Sequence, residues 1–231
     1  MKISVALAAY KGELYIAQQM ESILRQLGET DELIVSDDFP EGKTRGIVES
    51  IASKDRRVKY LEGQGKGVIK NFENALSVCN GDIIFLCDQD DVWMPDKVET
   101  VMKEFENGAQ LVLHDALVTD AHLNVTNPSC FSIHGANLSF GKNLLRNTFV
   151  GCCMAFTKEL LAETMPFPDG IAMHDWWIAL VALKNKRKTV LIGKPLIKWR
   201  RHGENVTGGS TTAIQKIRWR LNMISALAKH K

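Results

Sequence analysis

Short apolar runs alternate with segments of helical periodicity through the first half of the chain. The runs are rich in β-branched residues and read ISVALAA (3–9), ELIVS (32–36), VKYL (58–61) and IIFLC (83–87). Such runs are typical of buried strands. Amphipathic helices are predicted between them, near 12–27, 43–53 and 67–78. This alternation predicts an α/β fold with a mostly parallel central sheet flanked by helices.

The second half of the chain is less regular. By contrast, the first predicted helix, in the first half of the chain, has apolar residues at clear three- and four-residue steps, namely Leu14, Ala17, Met20, Ile23, Leu24 and Leu27. The later apolar segments are LVL (111–113), VGCCMAF (150–156), HDWWIALVAL (174–183) and TVLIGKPLIKWR (189–200), and the stretch 119–148 is predicted to be rich in loops. A final helical stripe contains Ile214, Ile217, Leu221, Ile224 and Leu227, interleaved with Lys216, Arg218, Arg220 and Lys229.

Composition narrows the classes of function. The chain has 231 residues, which suits one α/β domain with a short appendage, and 29 basic against 27 acidic side chains give a net charge of only +2. We therefore expect no nucleic-acid partner. Five cysteines without a CxxC spacing indicate reduced thiols in the core. No signal-peptide boundary and no run of roughly 20 apolar residues is present, so a cytoplasmic protein is predicted.

Polar segments follow three of the predicted strands, where the carboxyl ends of parallel strands form ligand sites. They read AAYKGE, SDD and CDQDD. The last contains Asp88, Asp90 and Asp91, whose mutual repulsion favours a cation between them. Oxygen ligands of this kind suit Mn²⁺ or Mg²⁺. The alternative is that Asp91 caps the helix announced by Trp93-Met94-Pro95 while the other two carboxylates are solvated.

Six ordered segments resemble a known family: AAYKGELYIAQQMESIL, IVSDD, GVIKNFENAL, GDIIFLCDQDDVW, MHDWW and WRRHGENVTG. Together they resemble the inverting family 2 glycosyltransferases with the GT-A fold, and within them the rhamnosyltransferase-like branch. The resemblance implies a GT-A catalytic domain over residues 1–208, followed by an amphipathic helical tail over 209–231. Two loops depart from the family pattern, at Ala9-Tyr10-Lys11-Gly12 and over residues 37–42, which alters the expected contacts with the nucleotide.

The resemblance also implies roles for individual residues. The last carboxylate of the Asp88-Gln89-Asp90 motif would hold the metal ion, and His202 would reach the metal or the pyrophosphate. The donor nucleotide sugar would be bound by Ala8, Tyr10, Glu13, Asp37, Asp38, Lys70, Asn71, Asp88, Arg200 and Arg201. One of the pair Asp37 and Asp38 would accept the imide N–H of the base. Lys70 has a simpler alternative, which is a solvated charge on a helix.

The segment His174-Asp175-Trp176-Trp177 matches the one that carries the catalytic base in inverting members of the family. A carboxyl group beside two tryptophans is partly desolvated, which favours a raised pKa and readiness to take a proton from the acceptor. Asp175 as a helix N-cap is the alternative, and His174 is the nearest competitor for the role of base. Trp176 and Trp177 would stack on a sugar ring or belong to the core.

The resulting hypothesis is a single displacement on a UDP- or dTDP-linked sugar, which inverts the anomeric centre and extends a glycan or lipid-linked acceptor in cell-surface polysaccharide synthesis. The basic amphipathic tail predicts a peripheral contact with the inner face of the cell membrane, unless it simply packs on the domain. A nucleotidyltransferase is one alternative, although AAYKGE is not a glycine-rich phosphate loop. A catalytically silent nucleotide-sugar-binding module is the other, although HDWW retains the base.

Overall fold

The computed structural model describes residues 1–203 and 212–230. In the first half, every predicted strand and helix is present. The strands are β1 (Ile3–Ala9), β2 (Glu32–Asp37), β3 (Val58–Glu62) and β4 (Ile83–Asp88), and the helices are α1 (Ile16–Leu24), α2 (Thr44–Ala52) and α3 (Val68–Leu76). The short apolar runs thus form strands, as predicted, and the amphipathic segments between them form the crossover helices of a parallel sheet.

The second half contains more regular structure than predicted. Its strands are β5 (Val92–Trp93), β6 (Leu111–Thr119), β7 (Val125–Asn127), β8 (Met154–Thr157) and β9 (Thr189–Arg200). Its helices are α4 (Lys97–Glu106), α5 (Cys130–His134), α6 (Phe140–Leu145), α7 (Lys158–Thr164), α8 (His174–Lys184) and α9 (Ala213–Lys229). The stretch 119–148 contains many loop residues, as predicted, but also β7 and two short helices, which Ser129 and Ser139 cap by accepting backbone N–H bonds.

One mixed sheet organises the described part of the chain. Eight of its nine strands lie in the order β3-β2-β1-β4-β8-β6-β9-β5, and the ninth, β7, pairs with β6. The strands β3, β2, β1 and β4 are mutually parallel, β6 and β9 are parallel to each other, and β8 is antiparallel to both β4 and β6. The prediction of a mostly parallel sheet is confirmed. The carboxyl ends of β1, β2 and β4 therefore meet at one edge, where the polar segments lie.

The helix α1 differs from its predicted apolar face. Ile16, Met20 and Ile23 are fully buried, but Leu14 is 76% exposed and Ala17 is also exposed. Leu14 is exposed because residues 12–15 form a turn, in which the Gly12 carbonyl accepts the N–H groups of Tyr15 and Ile16, so the helix begins only at Ile16. The positions before it do not share the helical face. Ala17 lies within the helix, on its exposed side.

The helices α8 and α9 pack in different ways. Every residue of α8 from His174 to Ala182 is buried, as expected for a helix that is apolar all round. In α9, Met223 and Leu227 face the domain, whereas the rest of the predicted stripe faces solvent. Over the residues described, no helix combines the length and apolarity needed to cross a bilayer. The predicted boundary at 208 and 209, and Asn205 of the WRRHGEN segment, lie outside the described residues.

Candidate active site

Three carboxylates gather where β4 ends. Burial raises the pKa of Asp88 to about 7, and the nearby charges of Asp90 and Asp175 add to that rise. Burial also raises the pKa of Asp91 well above its usual range. One Asp91 oxygen accepts the Arg200 N–H at 3.0 Å, and the other has no hydrogen-bond partner among the described residues. Asp91 does not cap a helix as the alternative had it, because α4 begins after Asp96.

These groups fit a divalent cation. His202 Nε2 lies 2.8 Å from Asp90 Oδ2, so the two predicted metal ligands are adjacent in space although 112 residues separate them. Ligand atoms of Asp88, Asp91 and Cys152 all lie within 4.8 Å of one another. A divalent cation would stabilise the charged forms of Asp88 and Asp91, whose pKa values are raised by burial first and by the neighbouring carboxylates second. Carboxylate oxygens are the donors that Mg²⁺ and Mn²⁺ prefer. Sequence reasoning missed Cys152, since no motif surrounds it.

Gln89, the middle residue of the acidic motif, connects this cluster to the loop after β1. Its side-chain oxygen accepts the Tyr10 N–H at 2.8 Å, and its side-chain nitrogen donates to the Tyr10 carbonyl at 2.8 Å. Gly12 packs directly on the same amide, because a Cβ at residue 12 would lie 2.2 Å from Gln89 Oε1. The loop and the acidic cluster therefore form one unit. The pattern DQD gave no indication of this contact.

Tyr10 contributes an exposed aromatic ring beside this loop. Its ring meets that of Phe39 edge-on with the centroids 6.0 Å apart, and Lys11 Nζ lies 5.2 Å from both rings. Phe39 belongs to the segment that departs from the family pattern. The aromatic pair therefore lies where the β1 and β2 ends meet, and it offers a face suited to stacking.

The carboxylates of Asp37 and Asp38 are both engaged with protein groups. Asp37 is fully buried, and burial raises its pKa, while it accepts bonds from the Phe39 N–H at 3.1 Å and the Tyr60 hydroxyl at 3.3 Å. Asp38 accepts the N–H groups of Gly65 at 2.8 Å and Gly67 at 2.7 Å. Both aspartates thus hold the walls of the predicted nucleoside pocket in place.

Asn71 lies beneath the pocket rather than on its surface. Its side chain is buried, accepts from the Ser36 hydroxyl at 2.6 Å and donates to the Ala9 carbonyl at 2.9 Å, so it ties β1 to β2. This differs from its predicted place in the donor site, because both polar atoms of its amide already bond the protein. Ala8 is half-buried and lies directly opposite Asp88 in the β1–β4 register.

Two other predicted donor residues lie at the surface. Lys70 Nζ pairs with Glu73 at 2.6 Å and with Asp169 at 3.9 Å, which agrees with the alternative of a helix charge. Glu13 is exposed, and its carboxylate accepts from the Thr44 hydroxyl at 3.4 Å. The structure therefore brings Glu13 next to the first residue of α2 but does not join Lys70 to the acidic cluster.

Asp175 is held at the start of α8 by three donors. One oxygen accepts the Gly151 N–H at 3.1 Å, and the other accepts the Trp176 N–H at 2.5 Å and the Asn147 side chain at 3.3 Å. Burial nevertheless raises the pKa of Asp175 to about 7. The residue preceding α8 is Met173, so Asp175 is not the N-cap. Sequence reasoning missed Gly151 and Asn147, which lie more than 20 residues away along the chain.

The neighbours of Asp175 belong to the core. His174 is buried, stacks on Phe72 with ring centroids 4.0 Å apart, and burial lowers its pKa to about 3. Its ring is therefore neutral near pH 7. Trp177 is fully buried and Trp176 is nearly so, with its indole N–H donating to the Asn143 carbonyl at 2.6 Å. Neither tryptophan offers a free face to a sugar ring.

Arg200 has a different role from the one predicted. Its guanidinium is buried and donates to the carbonyls of Asp90 and Ala121 and to the Gln18 side chain. This arrangement ties the end of β9 to the acidic motif and leaves the side chain directed at protein oxygens rather than at a phosphate. Arg201 is half-buried, and its guanidinium lies 4.7 Å from the Trp199 ring.

The chain is similar in sequence to named glycosyltransferases. The chain is 26% identical over 226 residues to the dTDP-rhamnosyl transferase RfbG of Shigella flexneri, covering 88% of this chain and 74% of the relative. It is 25% identical over 187 residues to the Escherichia coli UDP-Glc:alpha-D-GlcNAc-diphosphoundecaprenol beta-1,3-glucosyltransferase WfgD, covering 79% of this chain and 70% of the relative.

Solved structures share the fold. Staphylococcus aureus TarS in complex with UDP-GlcNAc superposes with a TM-score of 0.78 at 18% identity, over 100% of this chain and 68% of that one. The mannosyltransferase PcManGT of Pyrobaculum calidifontis in complex with GDP-Man and Mn²⁺ gives 0.68 at 18% identity, over 99% and 65%. The GT-A fold predicted from the motifs is confirmed. The profile of Glycosyl transferase family 2 matches residues 4–164, well over half of the sequence, and the chain therefore belongs to glycosyl transferase family 2.

Proposed function

We infer that this protein transfers a sugar from a UDP- or dTDP-linked donor to a glycan or lipid-linked acceptor, with inversion, in the synthesis of cell-surface polysaccharide. The observation that carries the proposal is Asp175, a buried carboxyl with a pKa of about 7 that is close enough to Asp88 to raise the pKa of that residue. A group poised in this way suits general base catalysis near neutral pH. The donors named for RfbG and WfgD motivate the choice of nucleotide.

Asp175 acts as the proton acceptor in this proposal. The Gly151 and Trp176 N–H groups fix its two oxygens, so the carboxylate is oriented before the acceptor arrives. In the deprotonated state it takes the proton of an acceptor hydroxyl as that oxygen attacks the anomeric carbon. A single displacement on the face opposite the diphosphate inverts the anomeric configuration. This mechanism forms no covalent glycosyl-enzyme intermediate, so it needs no second carboxylate as a nucleophile.

Asp90 and His202 would hold Mn²⁺ or Mg²⁺, with Asp88 beside them facing the ribose. When bound, the ion supplies positive charge to the departing diphosphate. Arg201 is the remaining candidate for a phosphate contact, because the Arg200 guanidinium already bonds Asp90, Ala121 and Gln18.

The nucleoside would lie against the aromatic face of Tyr10 and Phe39. Gln89 supports this assignment, since it links the backbone of Tyr10 to the acidic motif through two bonds of 2.8 Å. Binding of the base at Tyr10 and of the diphosphate at Asp90 would then be mechanically linked. Asp37 and Asp38 would shape the pocket through the backbone N–H groups and the Tyr60 hydroxyl that they bond.

A lipid-linked acceptor would place the enzyme in the cytoplasm, as a peripheral protein on the inner face of the cell membrane. WfgD is named for an acceptor that carries diphosphoundecaprenol, and five buried, free cysteines suit a reducing compartment. The basic tail helix supplies the peripheral contact in this proposal.

A two-stage assay tests the function. Thermal shift measurements with UDP-, dTDP- and GDP-sugars in the presence of Mn²⁺ should raise the melting temperature only for the true donor, because ligand binding to the native state stabilises it. Incubation of that donor with a lipid-linked acceptor should then give a product of increased mass whose new anomeric centre is inverted by NMR. Retention of configuration would refute the mechanism.

The same assay separates the alternatives. A silent nucleotide-sugar-binding module would be stabilised by a donor yet form no product and release no nucleoside diphosphate. A nucleotidyltransferase would instead release pyrophosphate from a nucleoside triphosphate and a sugar phosphate. Asp175→Asn is the matched control, since it keeps the size of the side chain and removes the proton acceptor.

A further inference from the structure

The helix α9 has two apolar faces, of which only one is covered. Met223 and Leu227 pack on the domain, and Asn222 donates to the Gly170 carbonyl at 2.9 Å, which fixes the orientation of the helix. The other apolar face consists of exposed residues at helical spacing, namely Ile214, Ile217, Leu221 and Ile224, with exposed fractions of 81%, 56%, 61% and 47%. A packed helix of this kind presents a continuous apolar stripe to its surroundings.

The end of α6 extends this stripe. Arg220 Nε donates to the Leu145 carbonyl at 2.7 Å, which places the two helices side by side. Leu145 is 65% exposed, and Lys142 and Arg146 are exposed on either side of it. We call the combined surface the α6–α9 surface, formed by the four stripe residues of α9, Leu145, and the basic residues Lys142, Arg146, Arg218 and Arg220.

The two stretches of sequence that contain α6 and α9 are rich in basic residues. The segment 121–158 contains three basic and no acidic residues, and the segment 205–231 contains five basic and no acidic residues. The rest of the chain therefore carries a net charge of −6, although the whole has +2. An apolar stripe bordered by the basic side chains of Lys142, Arg146, Arg218 and Arg220 complements an anionic bilayer.

We propose that the α6–α9 surface docks on the anionic surface of a lipid bilayer. Its stripe inserts among the headgroups while Arg218 and Arg146 lie at the phosphates. A second copy of the chain is a poorer occupant, because a two-fold interface would bring each basic border against its own copy.

The docked surface lies close to the proposed catalytic base. Trp176 on α8 donates to the Asn143 carbonyl of α6 at 2.6 Å, and Asn147, two residues past the end of α6, donates to Asp175 at 3.3 Å. This step rests on the proposed function. Docking through α6 and α9 holds Asp175 near the headgroup layer, where the sugar-bearing end of a lipid-linked acceptor is found.

Vesicle co-sedimentation tests the proposal with the full chain. Wild type should sediment with phosphatidylcholine vesicles that contain roughly 30% phosphatidylglycerol, and much less with phosphatidylcholine alone. Raising the salt from about 50 to about 500 mM should release it, since screening weakens the basic contacts. Leu221→Glu should lower the partition coefficient at least about tenfold, because it removes an inserted apolar group and adds a repelled charge.

Val78→Glu is the matched control, because Val78 is a 37% exposed apolar residue just after α3 and away from the α6–α9 surface. It should change partitioning less than about threefold, given that it adds the same charge elsewhere. Circular dichroism should show both variants folded. The proposal is overturned if wild type does not bind anionic vesicles, or if the two variants partition equally. It is also overturned by a vesicle-free dimer of wild type that Leu221→Glu converts to a monomer.

A separate assay keeps the two proposals distinct. Transfer to a short, water-soluble acceptor needs no membrane, so wild type, Leu221→Glu and Val78→Glu should turn over equally there. If wild type binds anionic vesicles yet transfers no sugar from any donor, the proposed function fails and docking stands. If transfer is normal and vesicle binding is absent, docking alone fails.

Discussion

Replacing Asp175 by asparagine should separate catalysis from stability. Asparagine keeps the size of the side chain and an oxygen that accepts the Gly151 N–H, but it cannot take a proton. Turnover at saturating donor should fall by a factor of about 10² to 10⁴, the usual contribution of a general base. Donor affinity should be preserved, because no nucleotide contact is assigned to Asp175.

The folding stability of wild type should fall as the pH rises, in the range where its turnover should increase. Below the unfolded pKa of 3.8, Asp175 is protonated in both states and contributes nothing. Between 3.8 and about 7 the unfolded chain releases the proton while the folded carboxyl retains it, so rising pH destabilises wild type. The total loss above pH 7 is about 4 kcal/mol at 1.36 kcal/mol per pKa unit.

Asparagine does not titrate, so the Asp175→Asn variant does not lose this folding stability as the pH rises. Its free energy of unfolding minus that of wild type should be about 3 kcal/mol larger at pH 8 than at pH 5, so the variant gains relative stability as the pH rises. A pH-independent cost of about 1 to 3 kcal/mol opposes the gain, because the new amide NH₂ faces both the Trp176 N–H and the Asn147 side-chain amide. Urea unfolding at the two pH values measures the difference.

Kinetics supply the deciding comparison. Wild-type turnover should rise with pH through about 7 as the carboxyl loses its proton, since only the carboxylate is a base. His174→Asn should keep turnover within about tenfold of wild type while lowering the melting temperature, because it removes the stack on Phe72 rather than a reacting group. An Asp175→Asn enzyme that retains more than about a tenth of wild-type turnover would refute the assignment.

Three further predictions concern the acidic motif and its supports. EDTA or Asp90→Ala should abolish transfer and weaken binding of a nucleoside diphosphate more than that of a nucleoside in calorimetry, and full activity in EDTA would contradict the metal assignment. Gln89→Ala should raise the donor Kd about tenfold by releasing Tyr10, whereas an unchanged Kd would show that the clamp does not order the loop. Arg200→Met should lower the free energy of unfolding, measured in urea, by about 3 to 5 kcal/mol, because the carbonyls that the buried guanidinium bonds would lose their donor. A loss below about 1 kcal/mol would contradict this.

The sequence by itself determined the β-α-β half of the fold. Its strands are continuous apolar runs and its helices are strictly amphipathic, so local pattern and tertiary burial agree in β1, β2 and β4. The acidic motif was also readable, because it lies at the end of a buried strand. The position of Asp175 at the start of an apolar helix was equally visible.

Only the tertiary structure decided which groups meet and in which direction they point. Asn147 and Gly151 reach Asp175 across more than 20 residues, and Arg200 turns inward because the carbonyls of Asp90 and Ala121 require donors there. Residue type determines the chemistry of a side chain. Burial and the partners that the fold brings to it determine its pKa and which of its polar atoms remain available to a ligand. For the same reason the apolar stripe of α9 was legible from its spacing, while the structure alone determined that Met223 and Leu227 face the domain and Leu221 faces outward.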